Sequence, residues 1–246
     1  MFTLYLKEIR SFLSSLIGYM AICVFITLIS VFMWIIPSDG GGYNILDNGF
    51  ANIDPLFFIA PWVYLFLIPA ITMRSFSEEK KNGTIELLLT RPLTDLQIVM
   101  AKYFAAFSLV IVSLLPTLVY YYSVHSLGAP KGNLDTGGMW GSYLGLLFLG
   151  AGFVSIGVFA SSIAENQVIA FIIAMLLCFF FYVGFEYLAD SGLFGRSAAL
   201  LKSMGINDHY LSMSRGVMDT RDILYFASLI ALFNLFTKLV LESRKW

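Results

Sequence analysis

Six long runs of apolar residues constrain this chain more than any other feature of its sequence. They lie at residues 14–36, 56–73, 103–124, 140–162, 168–188 and 222–241. Each approaches the roughly 20 residues that an α-helix needs to cross about 30 Å of hydrocarbon. Only 13% of the 246 residues are charged, about half the share of a soluble domain. The sequence therefore predicts an all-α integral membrane protein with six transmembrane helices in one domain, residues 1–246.

Basic residues divide unequally between the two sides that six crossings define. With both termini on one side, the segments on that side carry two thirds of the Lys and Arg residues. These are Lys7, Arg10, Arg74, Lys80, Lys81, Arg91, Lys102, Lys238, Arg244 and Lys245. Cytoplasmic segments are enriched in Lys and Arg, so both termini are expected in the cytoplasm. Residues 189–221 run against this trend, because they hold four basic residues on the outer side.

Two features mark the ends and bends of the predicted helices. Asp54-Pro55 predicts an N-cap followed by proline at the first position of the second span, and Thr220 is the expected N-cap of the sixth. Bends are expected at three prolines inside spans, because proline removes a backbone donor: Pro61, Pro69 and Pro116.

Residues 1–13 carry apolar side chains at helical spacing before the first span. Phe2, Leu6, Ile9 and Leu13 recur with charged residues between them. This pattern favours a short amphipathic helix lying in the membrane interface. The alternative is that the first transmembrane helix begins early.

The loop 74–97 differs from the rest of the chain. A charged helix is predicted to extend the second span and to end at Asn82-Gly83, where glycine suits the left-handed terminal position. Thr84 can then cap a short helix with Glu86 in its first turn. Thr94 and Gln97 form a capping box that begins the next helix.

The short helix of this loop carries apolar residues but cannot span a membrane. Its leucines need a covering surface, because cytoplasmic water is an unfavourable neighbour. It can dock on a partner, lie flat in the interface or pack against the inner ends of this chain.

The run Glu78-Glu79-Lys80-x-x-Gly83-Thr84-x-Glu86-Leu87-Leu88-x-Thr90-Arg91-Pro92 is similar to the hallmark of ABC-2 type transporter permeases. It lies where that family has it, between the second and third of six spans. More narrowly, residues 61–92 and the opening Lys7-Glu8-Ile9-Arg10-Ser11-Phe12 resemble the permease subunit associated with bacterial gliding motility. Permeases of copper-enzyme maturation share much of this pattern.

The resemblance implies the ABC-2 (type V exporter-like) permease fold, in which the short helix is a coupling helix that docks on a separate ATPase. The implied ATPase-coupling residues are Glu78 and Glu79 in the preceding gate helix, Gly83, Thr84, Glu86, Leu87 and Leu88 in the coupling helix, and Arg91 and Pro92 at its exit.

The implied partners are two copies of a cytoplasmic ABC ATPase and a second permease subunit, in a bacterial inner membrane. The sequence has no G-x-x-x-x-G-K-[ST] phosphate loop. ATP and Mg²⁺ are therefore expected on the ATPase, and this chain is expected to be no enzyme and to hold no cofactor or metal. A net charge of −1 gives no indication of a nucleic-acid partner.

Three further features lie in and after the spans. Glu186 near the end of the fifth span is a candidate outer gate or pathway residue, or it lies at a hydrated helix break. Residues 189–221 suit short re-entrant helices at the outer face. The glycines of the fourth span, from Gly141 to Gly157, favour close helix packing within the chain or a dimer interface.

Two other functions compete with the permease interpretation. An ion-coupled secondary transporter would show matched internal repeats with broken helices, and no convincing repeat is present. A membrane anchor or force-transmitting scaffold that moves no substrate needs the same coupling helix, so the sequence leaves it open.

Overall fold

The computed structural model describes residues 1–37, 43–86, 92–192 and 195–243, and every regular element within them is helical. Six of the described helices are long and apolar enough to cross a membrane. We call them the first to sixth span: Gly18–Ile35, Asp54–Lys81, Asp95–Leu127, Thr136–Ile163, Gln167–Asp190 and Thr220–Glu242. The predicted all-α protein with six spans is confirmed.

Several spans contain irregular turns, and shorter helices flank them. The first span ends in a π-helical turn, Val31–Ile35; the third contains a 3₁₀ turn, Leu115–Thr117; the fifth contains a π-helical turn, Phe180–Gly184. The shorter helices are the N-terminal helix, Phe2–Leu13; a turn of helix, Ile45–Asn48; the charged helix that forms the last part of the second span, Arg74–Lys81; the 3₁₀ turn Gly195–Ser197; and the helices Ala198–Lys202 and Ile206–Met213.

Helix starts follow local capping chemistry, with two corrections. The capping box of Thr94 and Gln97 is present as predicted. Thr220 is not the N-cap of the sixth span: Asp219 takes that place, because its carboxylate accepts from the backbone N–H of Arg221. The second span begins one residue earlier than predicted, so that Asp54 is its first residue.

Prolines act differently in the second and third spans. Pro116 lies in the 3₁₀ turn that interrupts the third span, whereas the helix Asp54–Thr72 continues through Pro61. Proline at 61 leaves the carbonyl of Phe57 without its helical donor. The hydroxyl of Tyr210 donates to that carbonyl at 2.6 Å, so a neighbouring helix satisfies the freed acceptor.

The six spans divide into three buried and three exposed ones. In the 18-residue apolar stretch that defines each span, 61 to 78% of the residues are buried in the second, third and fourth spans, against 28% in each of the others. The first, fifth and sixth spans therefore present apolar side chains outward, toward lipid or a second protein.

The glycines of the fourth span serve packing within the chain. A Cβ at Gly141 would lie 2.6 Å from the carbonyl oxygen of Gly216, and one at Gly145 would lie 2.7 Å from Met213 Cβ. At the other end of the span, Gly157 lies against Thr72. The interpretation as intramolecular packing, rather than a dimer interface, is confirmed at these positions.

The N-terminal helix packs on the protein through a face that the sequence pattern did not indicate. Leu4, Glu8 and Phe12 are its buried residues. They lie on a different side from the predicted stripe, where Phe2 is exposed. This orientation places a carboxylate, that of Glu8, inside the protein.

Candidate functional site

A buried ammonium group lies where the N-terminal helix, the charged helix and the third span meet, at what we call the charged end of the molecule. The side chain of Lys102 is 1% exposed. Its Nζ donates to Glu8 Oε1 at 3.2 Å and to the carbonyl oxygen of Ser75 at 2.6 Å. Glu79 Oε2 lies 3.0 Å away as an ion pair, and the ring of Phe76 lies 5.0 Å away.

The two carboxylates that contact Lys102 come from different helices. Glu8 is on the N-terminal helix, Glu79 is on the charged helix, and Lys102 itself is in the third span. Taking these charges out of water costs free energy that good geometry must offset, and removal of one partner from such a group is strongly destabilising. The ammonium therefore fixes the relative positions of three helices.

Lys7 balances the second carboxylate of the cluster. Its Nζ lies 3.6 Å from Glu8 Oε1 and 3.6 Å from Glu79 Oε1, while its side chain is 63% exposed. Two carboxylates thus meet two ammonium groups, one buried and one in contact with solvent. A cavity of about 680 Å³ opens beside them.

The charged helix carries a second ion pair on the wall of this cavity. Arg74 donates to both carboxylate oxygens of Glu78, from Nε at 2.9 Å and from Nη2 at 3.1 Å. Such paired contacts are geometrically specific. They hold Glu78 along its own helix, whereas Glu79 reaches across to Lys102.

The predicted coupling segment begins directly after the charged helix. Asn82 follows the last helical residue, and Gly83 has the left-handed conformation expected of it, with φ +67°. The hydroxyl of Thr84 donates to the carbonyl oxygen of Glu79 at 3.4 Å, while Glu86 is exposed. Leu87, Leu88 and Arg91 lie outside the described residues.

Comparison with protein families identifies the chain. A family model described as ABC-2 family transporter protein matches residues 42–194, which is more than half of the sequence. The chain belongs to the ABC-2 transporter family. No match to a curated protein was found. The matched range contains the charged helix and Lys102, and it excludes Glu8.

This ABC-2 protein is therefore a multi-pass membrane protein and a transporter permease subunit. The Lys102 cluster joins part of its family-matched region to its N-terminal helix. Of the predicted site residues, Glu79 is in that cluster, and Glu78, Thr84 and Pro92 line the adjacent cavity. Sequence reasoning missed Glu8 and Lys102. The signal for Glu8 was its position four residues from both Leu4 and Phe12, on one helical face.

Glu186 lies at the other end of the molecule, far from these groups along the chain. It follows the π-helical turn of the fifth span and is partly exposed. Its Oε2 accepts from Asn207 Nδ2 at 2.7 Å, and its Oε1 lies 3.6 Å from Lys202 Nζ. The carboxylate thus connects the fifth span to the short helices of this ABC-2 protein.

A second polar group ties the helix Ile206–Met213 to the sixth span. His209 Nδ1 lies 2.7 Å from Asp222 Oδ1, and the hydroxyl of Ser212 donates to Asp222 Oδ2. The three residue types resemble a hydrolase triad, but the serine contacts the carboxylate rather than the imidazole. A serine nucleophile needs the histidine as its base, so this arrangement does not activate Ser212.

Proposed function

We propose that this permease subunit moves its spans in response to a separate cytoplasmic ABC ATPase that docks on residues 83–92. In this proposal both termini and the charged end face the cytoplasm of a bacterium, across its inner membrane. ATP and Mg²⁺ bind to the ATPase, which closes around them and displaces the docked segment.

The buried Lys102 cluster is the observation that carries this proposal. The docking segment continues directly from the charged helix, and Glu79 of that helix is held by Lys102 of the third span. A displacement at residues 83–92 therefore acts on the third span and, through Glu8, on the N-terminal helix. Separating a buried charge pair is costly, whereas a surface pair contributes little, so the cluster holds its helices together during such a displacement.

The exposed spans support the second permease subunit in the complex. In the apolar stretches of the first, fifth and sixth spans, only 28% of the residues are buried within this chain. An apolar groove of about 410 Å³ lies between the first, second and fifth spans, lined by Val24, Phe66 and Phe171 among others. We propose that a second permease module faces this groove, with two copies of the ATPase below.

The narrower proposal is that the complex serves gliding motility. It rests on the resemblance of residues 61–92 and of residues 7–12 to that permease subunit. Deletion of the gene from a gliding host should abolish movement over surfaces while growth in liquid continues. Normal gliding of the deletion strain would contradict this assignment.

Reconstitution tests the transporter proposal. The chain is purified in mild detergent with the ATPase and second permease encoded beside it, then placed in vesicles. We expect ATP hydrolysis that requires this chain and is lost when Glu79→Gln and Lys102→Met are combined. Failure of any ATPase to co-purify would contradict the proposal. ATPase activity without flux of any molecule would favour the scaffold.

Replacement of Glu86 tests the docking site itself. Glu86→Ala should weaken co-purification of the ATPase and leave membrane insertion intact, because Glu86 is exposed beyond the end of the charged helix. Asp208→Ala serves as the control, because it removes an exposed acidic side chain at the other end of the molecule. Full retention of the ATPase by the Glu86 variant would place the docking surface elsewhere.

A further inference from the structure

The second span is interrupted at Met73, where the membrane helix Asp54–Thr72 gives way to the charged helix Arg74–Lys81. A side chain from another span lies in this break. Ser161 Oγ accepts from the backbone N–H of Phe76 at 2.9 Å and of Ser77 at 3.1 Å. The same hydroxyl donates to the carbonyl oxygen of Met73 at 2.9 Å.

The hydroxyl of Ser161 therefore acts as a helix cap supplied by a different helix. The first four N–H groups of a helix have no partner within it, and a serine just before the helix usually serves one of them. Here Met73, which has no hydroxyl, occupies that position. Ser161 uses both lone pairs and its one proton at the break, and it is fully buried.

Other contacts attach the charged helix to the same end of the fourth span. Lys80 Nζ donates to the carbonyl oxygen of Ser162, and the side chain of Phe76 is completely buried. Just before the break, Thr72 lies so close to Gly157 that a Cβ there would collide with it. The charged helix is thus fixed to the fourth span as well as being continuous with the second.

We propose that Ser161 is a positioning residue that makes Met73 a pivot. The charged helix moves with the fourth span and changes its angle to the membrane part of the second span, Asp54–Thr72, about Met73. A side chain inserted into a helical ladder is an established cause of kinks, and the hydroxyl holds the break open by satisfying the polar groups on both sides. The ATP-driven movement rests on the proposed function, whereas the attachment itself does not.

Hydrogen exchange of the purified chain tests the attachment without any partner. Ser161→Ala removes the acceptor of two amides, so a peptide containing Phe76 and Ser77 should exchange about tenfold faster. Ser162→Ala is the matched control, because its hydroxyl is also buried but donates only to Phe159 within its own helix. Ser161→Cys keeps a side chain of similar size with a weaker acceptor, so it should accelerate exchange of the same peptide less. It serves as the test if the alanine variant folds poorly. Equal exchange in the Ser161 variants and the Ser162 variant would overturn the proposal.

Spin-label distances test the pivot in the assembled complex. Labels at exposed Asn82 and Glu165, in a Cys23→Ser background, report the charged helix against the fourth span. Asn82 paired with exposed Phe58, which lies outside the apolar groove, reports it against the helix Asp54–Thr72. When nucleotide binds, the distance from Asn82 to the second span should change, and the distance from Asn82 to Glu165 should stay constant. Ser161→Ala should broaden the distribution of the Asn82–Glu165 distance. A constant distance from Asn82 to the second span, or an unaltered Asn82–Glu165 distance in the variant, would overturn the pivot.

The two proposals fail separately in these measurements. If no ATPase co-purifies with the chain but Ser161→Ala still accelerates exchange, the attachment stands and the ATP-driven function fails. If the complex moves with nucleotide while Ser161→Ala behaves as Ser162→Ala, the function stands and Ser161 has no positioning role.

Discussion

The two ends of the molecule hold their helices together with polar contacts of different kinds. At the charged end, Lys102 is almost completely buried among two carboxylates. At the other end, the pair of Glu186 and Lys202 is 29% and 43% exposed. Solvent weakens an exposed pair, while a buried ion resists any change that removes its partner. The charged end is therefore held by a buried ion, whereas the opposite end combines an exposed ion pair with buried hydrogen bonds, such as that of Tyr210.

The largest effect should follow from Lys102→Met. It leaves Glu8 and Glu79 with only the exposed Lys7, so it should lower the free energy of unfolding by about 3–5 kcal/mol. Thermal unfolding in detergent measures this loss. Lys202→Met is the matched control at the opposite end, because the pair of Lys202 with Glu186 is partly exposed and its loss should cost about 0–1 kcal/mol. Equal shifts in the two variants would remove the distinction between the ends.

A buried hydroxyl at the opposite end should give the next largest effect. Tyr210→Phe leaves the carbonyl of Phe57, freed by Pro61, without a donor, at a cost of about 1–3 kcal/mol. Tyr225→Phe removes a comparable but exposed hydroxyl, which donates to Met204, and should cost less. If both variants unfold at the same temperature as the parent, the proline-freed carbonyl is satisfied in another way.

Glu186→Gln should have a small effect on stability. The ion pair with Lys202 is partly exposed and worth about 0–1 kcal/mol, while the amide can still accept from Asn207. Unfolding temperature and ATP-dependent activity should both stay near those of the parent protein. A large loss of activity with unchanged stability would instead assign Glu186 to the outer gate or pathway.

The smallest effect concerns Asp219 at the start of the sixth span. The N–H of Arg221 lowers the pKa of this carboxyl below its usual 3.8. Its stabilising contribution is therefore complete above that value and is lost as pH falls through the lower native pKa. The protection of the Arg221 amide, which compares its exchange rate with the intrinsic rate at the same pH, should fall on acidification. In Asp219→Asn this loss of protection should disappear, because asparagine caps a helix at any pH.

The sequence predicted the parts of the fold that local chemistry decides. Apolar length located all six spans, Gly83 marked the end of the charged helix, and Thr94 with Gln97 marked the start of the third span. These features depend only on neighbouring residues. The rotation of the N-terminal helix about its axis depends on more than neighbouring residues, because both of its faces carry apolar residues. The choice of Glu8 as a buried residue required its partner, Lys102.

The same reasoning explains why Ser161 was not found. A serine near the end of an apolar span has many uses, and nothing next to it indicates the break at Met73, 88 residues earlier in the chain. The partner is set by how the fourth span packs on the second, where Gly157 permits close approach to Thr72. Likewise, Pro61 marks a freed carbonyl, but only the structure supplies Tyr210 as its donor.

The order of residues in the Lys102 cluster has a consequence for synthesis. Chains are made and begin to fold from the N-terminus, and Glu8 and Glu79 both precede Lys102. Both carboxylates are therefore synthesised before the lysine and leave the ribosome ahead of it. When the third span enters the bilayer, its cation can be neutralised by groups already in place, so a costly unpaired intermediate is avoided during membrane insertion.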